Sequence, residues 1–95
     1  MRWLALLVVA ACGRGMPPGA TAADAERAHI ALGDLQRGRA LLVTKCGGAC
    51  HRPPVPIDHP ASEWPGKLDE MAVRAGIDGG QRALIEAYLV TMATR

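Results

Sequence analysis

Phenylalanine is absent from the 95 residues, and one tyrosine and two tryptophans are the whole aromatic content. A chain this short makes one small domain, and with so little aromatic bulk its own side chains build only a thin core. Charge of one sign is lacking too: 11 Lys and Arg stand against nine Asp and Glu, a net +2 without a basic cluster. That balance excludes the electrostatic footprint of a nucleic-acid binder. No apolar run approaches the roughly 18 residues that a membrane-spanning helix needs. Internal repeats and alternating strand patterns are missing as well. Cysteine is scarce and odd in number, at three, so the destination of each thiol becomes the central question.

The first thiol follows a leader. Residues 1–11 combine a short positive start at Arg2 with an apolar run from Trp3 to Ala11, the layout of an export signal. Val9-Ala10-Ala11-Cys12 resembles the lipobox of bacterial lipoproteins, which implies cleavage before Cys12 and acylation of that cysteine. An ordinary secretory signal cut near residues 20–22 is the alternative. The lipobox reading predicts a protein on the periplasmic side of a bacterial membrane, anchored by lipid on Cys12; otherwise it is soluble in the periplasm. Stable attachment takes more than one acyl chain. Residues 12–33, rich in Gly, Pro and Ala at the start, read as a flexible tether, within which 24–32 could begin a helix that Gly33 interrupts.

The remaining residues, 34–95, carry helical periodicity. Asp34 is suited to N-cap a helix, along which Leu35, Gly38, Leu42 and Cys46 fall at i, i+3, i+7 and i+11 on one face. A second helix is expected from Ser62, with Pro65 tolerated in its first turn. Trp64, Leu68, Met71, Ala72 and Ala75 share its face, and Gly76 stops it. A third helix is expected over 80–94 with Leu84, Ile85, Tyr88, Leu89 and Met92 as its stripe. Four prolines between 52 and 60 exclude helix there and predict an extended loop. The expectation is an all-α fold of about three helices whose core lacks an apolar component.

Cys46-Gly47-Gly48-Ala49-Cys50-His51 carries the chemistry. Two cysteines followed directly by histidine is the arrangement for covalent haem attachment, the thiols bonding the vinyl groups and the imidazole binding the iron. Three residues separate the cysteines here rather than two, and Gly47 and Gly48 are able to absorb the extra one as a bulge. Residues 38–51 resemble the start of a class I c-type cytochrome. In that family a glycine eight residues before the first cysteine lets the first helix cross the last one closely, as Gly38 stands here. An aromatic four residues after that glycine is replaced by Leu42, while Tyr88 matches the aromatic on the last helix.

The resemblance implies one haem c on Cys46 and Cys50, with His51 as proximal iron ligand and Leu42, Leu68, Tyr88 and Leu89 packing on its face. It also implies a distal ligand. Met71 is the candidate, with His59 and Met92 as rivals; methionine raises the reduction potential. The function implied is electron transfer to periplasmic or membrane redox proteins, not enzymatic catalysis. An open sixth position would favour gas binding instead. A small exported lipoprotein without haem remains the alternative, stapled by a Cys46–Cys50 disulfide or binding zinc through Cys46, Cys50, His51 and His59.

Overall fold

The computed structural model describes residues 16–46 and 53–95, and no strand occurs among them. The chain is all-α. Four helices follow in order: α1 Ala22–Ala28, α2 Leu32–Leu41, α3 Trp64–Ala75 and α4 Gly79–Ala93. A π turn, Leu42–Cys46, extends α2, and two 3-10 turns, Pro56–Asp58 and Ala61–Glu63, precede α3.

Helix α1 lies inside the stretch expected to be a tether. Thr21 caps it: its hydroxyl accepts from the Asp24 amide, while the Asp24 carboxylate accepts from the Thr21 amide at 2.8 Å. Such a reciprocal box satisfies backbone donors that a helix start otherwise leaves unpaired. His29, in the left-handed conformation at φ 57°, closes the helix. The folded unit therefore reaches back to Pro17, which is buried, and the tether expected over 12–33 is shorter than its composition suggests.

Asp34 is not the cap of α2. The helix begins at Leu32 behind Ala31, which gives no side-chain cap, and Asp34 sits within the first turn, paired with Arg37 at 2.6 Å. There its charge still suits the positive end of the helix. The expected face holds, for Leu35, Gly38, Leu42 and Cys46 are all buried. Past Leu41 the helix widens, and the Thr44 hydroxyl donates back to the Ala40 carbonyl at 2.9 Å. Back-bonding of this kind bends a helix.

Helix α3 starts two residues later than expected, because Ala61–Glu63 forms a 3-10 turn first. Gly76, at φ 67°, ends it in the left-handed conformation that glycine adopts without strain. Asp78 and Gln81 form a second capping box at the start of α4. Arg82 ties the two helices, pairing with Asp69 at 2.6 Å and donating to the Pro65 carbonyl at 2.9 Å.

The core gathers Leu42, Cys46, Trp64, Leu68, Ile85, Tyr88, Leu89 and Met92. Full burial of one such leucine contributes about 2 kcal/mol. The helix crossing that brings them together turns on Gly38. A Cβ there would stand 2.9 Å from the Cβ of Tyr88 and nearer still to the Leu84 carbonyl oxygen. Only glycine lets α2 and α4 meet backbone to backbone.

Candidate functional site

Cys46 ends the π turn and enters the core with 2% of its surface exposed. Its neighbours in the cluster are apolar, and they include each residue expected to line a haem face: Leu42, Leu68, Tyr88 and Leu89. Cys50 and His51, the other two members of the motif, lie outside the described residues, as does Cys12. Cys46 thus fixes the candidate site by itself.

The three candidates for a distal ligand occupy different ground. Met71 lies on α3, half-buried and packed against the cluster that holds Cys46. Met92 lies inside that cluster, 1% exposed on α4. His59 stands half-buried between the two 3-10 turns, its ring edge-on to Trp64 at 5.0 Å and its Nδ1 3.5 Å from Glu63. Met71 combines contact with the cluster and partial exposure, whereas Met92 serves packing and His59 is engaged by Trp64 and Glu63. For zinc, no group of three or more His, Cys, Asp or Glu able to hold a metal occurs among the described residues; two members of the expected set lie outside them.

Trp64 links the loop to the cluster. It is 1% exposed, and its Nε1 donates to the Pro56 carbonyl at 3.0 Å. The proline-rich stretch has no regular structure over 53–55, Val55 itself being extended, and then turns through Pro56–Asp58, where the Val55 amide donates to Asp58 at 3.2 Å. Composition excludes an α-helix here, and none forms.

Tyr88 joins the site to the N-terminal strap, residues 17–28, which comprises the chain from Pro17 through α1. Its Cβ faces Gly38, and its hydroxyl donates to the Pro18 carbonyl. Burial pushes the phenol up to about 12. Beyond it, the carboxylate of Asp24, 2% exposed, takes bonds from the Thr21 amide and hydroxyl, from Arg27 and from Arg95. The Thr21 amide first, and then Arg95, hold that carboxyl well below its ordinary value.

These strap residues escape sequence reasoning in part. Thr21-x-x-Asp24 is a readable capping signal, but nothing local announces that Arg95, 71 residues away, completes the pair. An open groove of about 420 Å³ beside Ile30, Arg82 and Glu86 meets the Cys46 cluster only through Val90, which packs against it.

Compared with protein-family models, with curated proteins and with solved structures, the chain matches none. No helix among the described residues is long and apolar enough to cross a membrane. Cys46 stands in an apolar wall, with the Met71 thioether packed at its margin.

Proposed function

We propose that the chain is an exported, lipid-anchored monohaem c-type cytochrome that passes single electrons between periplasmic or membrane redox proteins. One observation carries this reading: the first cysteine of a Cys-x3-Cys-His motif is turned into an apolar cluster at the end of a helix whose close crossing demands glycine. A bound haem supplies the one-electron couple, and the protein supplies ligation, burial and polarity. Cys46 and Cys50 hold it covalently, and His51 binds the iron. Met71 is the distal ligand in this reading. Leu42, Leu68, Tyr88 and Leu89 exclude water from the face they cover, which keeps the local dielectric low.

Protein expressed in a periplasm with cytochrome maturation machinery gives the test. The reduced pyridine haemochrome spectrum and intact mass are expected to show one covalent haem per chain, lost in the double variant Cys46→Ser/Cys50→Ser. A wild-type mass without haem overturns the reading. Met71→Ala is expected to remove the sulfur-to-iron charge-transfer band; an unaltered band moves the assignment to Met92, and a wild type without the band moves it to His59.

The closed packing around Cys46 favours a second reading, a stapled lipoprotein without haem. The same mass spectrum distinguishes it, since a disulfide lightens the chain by two hydrogens and adds no cofactor.

A further inference from the structure

A flexible tether over 12–33 would let the domain wander from the membrane, with a root-mean-square reach of about 25 Å and a limit of roughly 70 Å. The strap removes most of that length. Pro17 is buried, and its carbonyl accepts from Arg39 Nε at 3.0 Å. The Pro18 carbonyl accepts from Tyr88, and the Gly19 carbonyl from Arg95 at 3.5 Å. Asp24 is held by Arg27 and Arg95, both at 3.1 Å, and Arg27 also donates to the Thr91 carbonyl at 2.8 Å. From Pro17 onward the chain is therefore part of the domain.

We propose that the lipidated protein sits directly on the bilayer surface, with Pro17 and the α2–α4 crossing held close to the headgroups. This rests on the lipoprotein reading of Cys12. Only residues 13–16 separate Cys12 from Pro17, which allows at most about 17 Å between the two Cα atoms. Met16, at the end of this linker, is an apolar side chain 43% exposed, the kind of group an interface accepts. Cys46 lies seven residues beyond Arg39 along α2 and its π turn, about 10 Å of rise. Cys46 is thus confined to within roughly 40 Å of the anchor. A redox partner must itself be membrane-bound or come to the membrane.

Full-length lipidated protein on a supported phosphatidylcholine bilayer, viewed by neutron reflectometry, tests this without relying on haem. Protein density is expected to begin at the headgroups. Inserting twenty Gly and Ser residues between Gly15 and Met16 is expected to move or broaden the layer outward by about 25 Å. A water gap under the wild-type layer, or coincident profiles for the two proteins, overturns the proposal. On vesicles, Arg14 and Arg27 are both expected to resist trypsin; early cleavage after Arg27 overturns the docked strap, and ready cleavage after Arg14 overturns the seating on the bilayer. If wild type and Cys12→Ser are both soluble, the anchor reading itself fails, and the proposal fails with it by a distinguishable route.

Discussion

Around Asp24, polar groups converge. A buried carboxylate takes bonds from Thr21, Arg27 and Arg95, and the carbonyls of Pro17 and Pro18 each have a side-chain donor. Around Cys46 the walls are Leu42, Trp64, Leu68 and Leu89, and Trp64 bonds to the Pro56 carbonyl. The two regions share α4, and Tyr88 belongs to both. The contrast teaches that the strap is a finished piece of structure, each polar group matched within the chain. The Cys46 cluster is instead a set of apolar side chains closed against one another, with the Met71 thioether packed at its margin.

The largest expected effect comes from breaking the frame that joins the regions. Gly38→Ala pushes a methyl group into the Leu84 carbonyl, a backbone atom that yields only if the helices separate. A loss of about 3 kcal/mol is expected, the upper end of overpacking, read from urea unfolding midpoints. Both regions should lose protection from hydrogen exchange together. A variant as stable as wild type would mean that α2 and α4 do not meet so closely.

Trp64→Phe acts on the motif region alone. It keeps an aromatic ring but leaves the Pro56 carbonyl without its donor, at a cost of about 2 kcal/mol. Exchange protection is expected to fall over 53–64 and to persist over 22–28. Equal losses in both segments would show that the regions are not separable.

Much of this was open to a reader of the sequence. Helical spacing sets Leu35, Gly38, Leu42 and Cys46 on one face, all of them buried, and the stop at Gly76 follows from glycine's freedom at positive φ. The strap was not legible as a whole. Gly, Pro and Ala suggest a linker, and what makes it structure is a set of bonds to Arg39, Tyr88, Thr91 and Arg95, partners remote in the chain. The N-cap of α2 was misleading for a local reason, since Asp34 suits a cap equally as well as the acidic first turn that it occupies. At the candidate site the motif is legible from spacing. Among Met71, Met92 and His59 the sequence favours Met71 by its place after the loop, since periodicity assigns both methionines to core faces, and both do pack in or against the cluster.

Acid is expected to loosen the strap before the Cys46 region. Because the folded protein holds the Asp24 carboxyl below its ordinary value of 3.8, the stability it contributes is present above that pH. It is lost as the pH falls below 3.8 toward the folded value. Protection factors over 22–28, corrected for intrinsic exchange, should drop in that range while those around Leu68 hold. In Asp24→Asn the acid-dependent step should vanish; its persistence would assign the titration elsewhere.

The smallest effect tests the residue that both regions share. Tyr88→Phe removes the hydroxyl bonded to Pro18 and should cost about 1 kcal/mol at neutral pH. Its signature lies in alkali. Burial raises the phenol from 10.0 to about 12, so the folded state keeps a proton that the unfolded chain releases. This contribution is whole below pH 10 and declines as the pH rises toward 12. Wild type should therefore lose stability across that window, and Tyr88→Phe should lack that part of the slope. If the loss is confined to the strap, Tyr88 serves chiefly to dock Pro18. If protection around Cys46 declines in step, the tyrosine transmits strap docking to the cluster, and the two regions are coupled through it. Identical alkaline limbs in both proteins would remove Tyr88 from either role.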